Sequence, residues 1–146
     1  MKVSVYNAQK DLKISRHSVQ RAVLLALEYH HVVCDEVAIH FVTNHRMCTL
    51  HQEFFDDPSP TDCITFPYKR DHSQYYFFGE IFVCPKTAFN YVAVHGGDLY
   101  KEVTLYMIHG ILHLLGFDDM NNKDRKIMQA KEQELMAHLK SHLLTP

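Results

Sequence analysis

The chain has 146 residues, 47% of them hydrophobic and 12% aromatic, and a formal net charge of −2 with histidine neutral. That length and composition predict one globular domain spanning residues 1–146, and the charge excludes the basic signature of tight duplex binding. The apolar runs are short, so no membrane span is expected, and the first residues read as a strand rather than a signal peptide, which makes the cytoplasm the expected location.

The elements follow in order. Val3-Ser4-Val5-Tyr6 alternates as a first strand. Ser15 is placed to cap a helix whose stripe is Val19, Ala22, Val23, Ala26 and Leu27, ending near Tyr29. Cys34-Asp35-Glu36 is a turn, and Val37 to Val42 a second strand. Thr43 or Asn44 caps a second helix with Met47, Leu50, His51 and Phe54 on its buried side. Asp56 to Pro60 breaks it, because proline excludes the helical region for the residue before it.

Cys63-Ile64-Thr65-Phe66 is a short strand stopped by Pro67, and Tyr68 to Tyr76 is a polar loop or lid. Phe77 to Cys84 is the last strand, with Gly79-Glu80 as a bulge or a point of close approach. Pro85 opens a helix that Gly96-Gly97 ends. Asp98 caps a helix that is apolar nearly all round from Val103 to Leu115, hence central and buried. Asn121 or Asn122 opens a final helix packed through Ile127, Met128, Leu135, Met136 and Leu139. The class is α+β: a small mixed sheet of about four strands packed with about five helices, the central buried helix carrying the chemistry. The four cysteines, Cys34, Cys48, Cys63 and Cys84, form no CxxC pair and read as reduced core thiols.

The one polar face of the central helix carries Glu102, Tyr106, His109 and His113. Histidines four apart share a helix face and can hold one divalent ion. Gly116 permits a left-handed turn just beyond, so Asp119 can swing back as third ligand, with Asp118 beside it. This spacing is similar to that of metzincin proteases. Those carry Glu after the first His as general base; here that residue is Gly110. The expected ligands are His109, His113 and Asp119. Asp118 is expected to orient a ligand, accept a proton or cap the turn. Glu102 is a supporting carboxylate or a solvated residue of the first helical turn.

His109-Gly110-x-Leu112-His113-Leu114-x-Gly116-Phe117-Asp118-Asp119 resembles HGxLHLxGYDH, the signature of the YbeY endoribonucleases. Pro60-Thr61-Asp62-Cys63-Ile64-Thr65-Phe66-Pro67 resembles that family's PTDVLSFP strand, and Gly79-Glu80-Ile81-Phe82-Val83-Cys84-Pro85 its GDIxICP strand. The resemblance covers about Asn44 to Leu139. It implies a metal-dependent RNase directed at single strands and acting in 16S ribosomal RNA 3′-end maturation and ribosome quality control. It also implies one zinc, a cytoplasmic location, and the ribosome or its assembly factors as partners.

Four departures stand out. Asp119 replaces the third His, Phe117 the Tyr, and Glu80 the Asp of GDI. The family's Tyr-Arg aligns with Phe54-Phe55, which removes an arginine suited to phosphate. Arg46, Lys69 and Arg70 are the nearest replacements in sequence, and Lys123 with Arg125-Lys126 is a further basic patch. Two neutral imidazoles and one carboxylate suit zinc, and also nickel, cobalt or iron. The carboxylate reduces the ion's Lewis acidity relative to three histidines. Phe54, Phe55, Tyr68, Tyr75 and Tyr76 offer faces for unpaired bases, with Phe54 better read as core and the Tyr75–Tyr76 pair favoured. Other readings are a ribosome-assembly factor with structural zinc and a zincin-like metallopeptidase, the latter opposed by Gly110.

Overall fold

The alternating first segment forms β1 (Lys2–Asn7), and the Ser15-capped stripe forms α1 (Arg16–Tyr29). These belong to a computed structural model that describes residues 1–72 and 74–146. There follow β2 (Glu36–Phe41), α2 (Asn44–Phe55), β3 (Cys63–Pro67), β4 (Phe77–Val83), α3 (Pro85–His95), α4 (Leu99–Leu114) and α5 (Asn122–His138). Each expected cap is in place. Ser15, Thr43, Asp98 and Asn121 accept from the backbone N–H groups of Ser18, Arg46, Lys101 and Asp124, which satisfies donors the helix leaves open. Residue 73 of the expected 68–76 lid lies outside the described residues.

The four strands lie in the order β1-β2-β4-β3. β1–β2 and β2–β4 are parallel, and β3 runs antiparallel to β4. The fold is therefore α+β with a mixed sheet. The predicted irregularity at Gly79 is real. Glu36 pairs with Phe77 and Ala38 with Glu80, so β4 carries one extra residue there.

α4 lies across β3 and β4 and packs against α3, α5 and α1. Val103, Met107, Ile108, Ile111 and Leu112 are fully buried on it, each large apolar side chain contributing about 1.5–3 kcal/mol. Contact with the sheet is close at Gly110. A Cβ there would lie 2.6 Å from Ile81 Cγ2 and 2.8 Å from Cys63 Sγ. The position after the first histidine therefore faces the sheet, and only a bare backbone fits.

Two expectations need correction. Phe54 was placed in the core, but it is 55% exposed and meets Phe66 edge-on at 4.9 Å. Ile127 was placed on the packing side of α5, but it is 44% exposed. Met128, Leu135 and Leu139 are buried as expected and Met136 packs against the core, so only Ile127 falls outside the buried face. The C-terminal tail also docks in a way the hydrophobic pattern did not signal. Thr104 Oγ1 accepts the N–H of Leu144, and Ser18 Oγ accepts that of Thr145.

Gly110→Ala tests how tightly α4 sits. Overpacking costs about 1–3 kcal/mol, and the gain in helix preference returns at most about 1 kcal/mol. The variant is expected to have a lower urea midpoint than wild type. An unchanged or higher midpoint would show that α4 has slack above β3 and β4.

Candidate metal centre

α4 ends in a tight, fully bonded turn. Gly116 has φ +100, a conformation that favours glycine. Its N–H donates to the carbonyl of His113, and the N–H of Phe117 donates to that of Leu112, both at 3.0 Å. This pair of bonds is the Schellman arrangement. It reverses the chain and aims the Phe117 carbonyl back at His113, 3.1 Å from Nδ1. Asp118 Oδ1 then accepts the N–H of Met120 at 2.8 Å, and Asn121 starts α5.

The reversal brings three expected ligands together. His109 Nε2 and His113 Nε2 are 3.0 Å apart. Asp119 Oδ2 is 3.6 Å from the first and 4.0 Å from the second. A tetrahedral ion with ligands at about 2.0–2.1 Å separates its donors by about 3.4 Å, and the three distances bracket that value.

The outer nitrogens explain why the inner ones are available. His113 Nδ1 is held by the Phe117 carbonyl, which can only accept, so that nitrogen carries the proton. His109 Nδ1 is bonded to Glu132 Oε1. Two neutral rings in these tautomers turn their Nε2 lone pairs toward each other and toward a carboxylate. Such a cluster calls for a cation at its centre, and the donor set fits a divalent metal ion. His109, His113 and Asp119 are thus a group that can hold a metal.

Glu132 was missed in the sequence, where it lies 23 residues from His109. It belongs to the half-buried side of α5, and only the packing of α5 against α4 reveals its partner. Burial lowers the proton affinity of His109. The hydrogen bond and charge of Glu132, followed by the charges of Asp62 and Asp119, outweigh this and leave its pKa above the ordinary value.

Two cavities open on the cluster and share Asp119. The one on the His109 side, about 340 Å³, is lined by Asp62, Glu102, Tyr106, Arg125 and Glu132 among others. The one on the His113 side, about 450 Å³, is lined by His51, Phe55, Thr65, Phe117, Asp118 and Met120 among others. Glu102 lines the first cavity together with Tyr106, placed to accept a bond from its hydroxyl. Burial, and then this bond, push the Tyr106 pKa up. Asp118 borders the second cavity while bonding the turn.

The expected cations behave differently. Arg46, Lys69 and Arg70 line neither cavity, and Arg70 sits over the Tyr76 ring at 5.2 Å. Arg125 does line the first. Its Nη1 donates to Asn122 Oδ1 at 3.1 Å, and among the described residues no carboxylate lies within ion-pair distance of it. The favoured tyrosine pair is also elsewhere. Tyr75 gives its hydroxyl to Glu36 at 2.6 Å, which pushes its pKa up to about 12, and neither it nor Tyr76 borders the two cavities.

The family model for Endoribonuclease YbeY matches residues 4–140. The chain belongs to the YbeY endoribonuclease family. It is similar to the Endoribonuclease YbeY of Protochlamydia amoebophila, at 45% identity covering 94% of this chain and 93% of that one. It is similar to the Endoribonuclease YbeY of Chlamydia trachomatis serovar D, at 39% identity covering 99% and 92%. The solution structure of TM1509 from Thermotoga maritima shares the fold, with a TM-score of 0.62 and 22% identity over 96% of this chain and 93% of that one. In this YbeY-family chain the packing of Gly110 against Ile81 and Cys63 leaves no room for a peptidase-type glutamate, which disfavours the peptidase reading.

Two outcomes are expected from Glu132→Gln. Zinc affinity, measured by competition with a chromogenic chelator, should fall about 10–100-fold. The metal-free protein should also change its pH response. A raised histidine pKa contributes stability that is full below the unfolded pKa and lost as pH rises through the folded one. Metal-free wild type should therefore lose melting temperature across the upper part of about pH 5–8, and Glu132→Gln should lose less. Equal slopes would show that Glu132 does not hold the His109 proton.

Proposed function

We propose that this chain is a zinc-dependent endoribonuclease that cleaves single-stranded RNA. We place it in the cytoplasm, in 16S ribosomal RNA 3′-end processing and ribosome quality control, with the ribosome or its assembly factors as partners. The observation that carries the reading is the convergence of His109 Nε2, His113 Nε2 and Asp119 Oδ2 at the meeting of two cavities, in a chain of this family. His109, His113 and Asp119 would hold the ion. When bound, zinc supplies a Lewis acid for phosphodiester oxygens and can lower the pKa of a coordinated water toward about 7.

The protein's own groups do the rest. Glu132 and the Phe117 carbonyl hold the Nδ1 protons and so keep both Nε2 lone pairs inward. Asp119 neutralises part of the ion's charge, so this site is a weaker Lewis acid than a three-histidine one. Asp118 uses Oδ1 in the turn and lines the His113-side cavity, and its second oxygen is assigned as proton acceptor for the attacking hydroxyl. Glu102 is a positioning residue that acts through the Tyr106 hydroxyl. Arg125 takes over the phosphate contact that Phe55 cannot make, since its planar donor fork matches phosphate oxygens.

The deciding experiment is cleavage of purified single-stranded ribosomal RNA fragments by wild type and His113→Ala. Wild type should cut, His113→Ala should neither cut nor retain zinc, and a chelator should stop the wild type. Full zinc content with no cleavage by wild type would favour an assembly factor with structural zinc. Products ending in 2′,3′-cyclic phosphate would identify the 2′-hydroxyl as nucleophile and exclude attack by water. Arg125→Ala should weaken RNA binding at all sequences and lower the slope of log affinity against log salt by about 1. An unchanged slope would remove Arg125 from the phosphate contact.

A further inference from the structure

The two cavities that meet at Asp119 differ in chemistry. The His109 side carries a cation, Arg125. The His113-side lining contains no lysine or arginine, and its outer wall is aromatic. Phe55, 55% exposed at the end of α2, forms that wall with His51, the ring centroids 5.7 Å apart and the planes tilted by 56°. The His51 ring is held in place. His51 Nδ1 is bonded to the Ser59 carbonyl at 2.8 Å, with Nε2 3.9 Å from Asp57 Oδ2. Asp56, in a left-handed conformation at φ 53, ends α2 directly after Phe55.

Resting on the endoribonuclease reading, we propose that the Phe55–His51 wall is a nucleobase subsite. One unpaired base of the RNA strand stacks on Phe55 while the neighbouring phosphodiester lies at the His109, His113 and Asp119 cluster. An exposed ring on the wall of a cavity that also contains two of the three ligand residues has an obvious occupant in a polymer of alternating bases and phosphates. A phosphate is a poor occupant, because the lining offers no lysine or arginine and Asp57 and Asp118 stand beside it. A base has a π-face and no charge, and such stacking is sequence-tolerant. The cavity, about 450 Å³, is within the range of small-ligand sites. Phe54, equally exposed, is not part of it, since its ring packs on Phe66 and does not line the cavity. The arrangement also gives the strand a path across the cluster: a base on the Phe55 side, a phosphate gripped by Arg125 on the other.

The chain contains no tryptophan, so Phe55→Trp introduces a single tryptophan, excited selectively at the red edge of its absorption, at the subsite. Zinc-loaded Phe55→Trp is titrated with a single-stranded oligoribonucleotide, and with copies carrying one abasic nucleotide moved stepwise along the strand. Stacking should quench the fluorescence with the intact strand, and one abasic position beside the cleavage point should abolish the quench. In wild type the same abasic substitution should weaken binding about tenfold, whereas in Phe55→Ala it should change binding less than twofold. Phe55 is exposed, so Phe55→Ala should remain folded and bind zinc as wild type does. The subsite is overturned if Phe55→Trp is saturated by RNA with no change in fluorescence, or if wild type binds every abasic strand as well as the intact one. If RNA is bound and cut while Phe55 variants are indifferent to the abasic position, the subsite fails and the enzyme reading stands. If no RNA is bound at all, both fail.

Discussion

The site depends on how α4 ends. Two backbone hydrogen bonds, Gly116 N–H to His113 and Phe117 N–H to Leu112, close the turn. The same turn then does two things for the chemistry. It points the Phe117 carbonyl at His113 Nδ1, and it returns Asp119 to the face where His109 and His113 converge. A ligand, a ligand's orientation and the start of the next helix all follow from one reversal of the backbone. α5 then completes the set, because its Glu132 reaches back to His109. The site is a property of the α4–turn–α5 unit, and the sheet's part is to hold α4 still.

That support explains the most informative departure from zincin chemistry. The residue after His109 is glycine because the helix rests on Ile81 and Cys63 at that point. The face that carries a peptidase's general base is here a packing surface. Loss of one reaction and gain of close helix–sheet packing are the same fact. The groups left for proton transfer and substrate contact must come from the turn, from α5 and from the two cavities.

Much of this was legible in the residues. Capping side chains marked the helix starts, alternation marked the strands, and Gly79 marked an irregularity that the register of β4 confirms. The spacing of His109, His113, Gly116 and Asp119 carried its own geometry, since both helical period and a left-handed glycine are local. What failed was non-local. Glu132 pairs with a residue on another helix, and nothing in its own neighbourhood distinguishes it from a solvated glutamate. Arg125 lines the cavity with His109, whereas the cations nearest to Phe55 in sequence do not. Phe54 and Ile127 misled because an apolar residue near a stripe can as easily flank the core as enter it. The Tyr75–Tyr76 pair stands out in the sequence as tyrosines in a polar loop, and the structure ties Tyr75 to Glu36 at the start of β2.

The central claim is that two imidazoles and one carboxylate are the protein's contribution to a single metal ion. X-ray absorption spectroscopy on the zinc-loaded chain tests this directly. The account predicts a first shell of nitrogen and oxygen scatterers only, at about 2.0–2.2 Å, with the outer-ring signature of two imidazoles. A sulfur scatterer at about 2.3 Å, or the signature of a single imidazole, would contradict it.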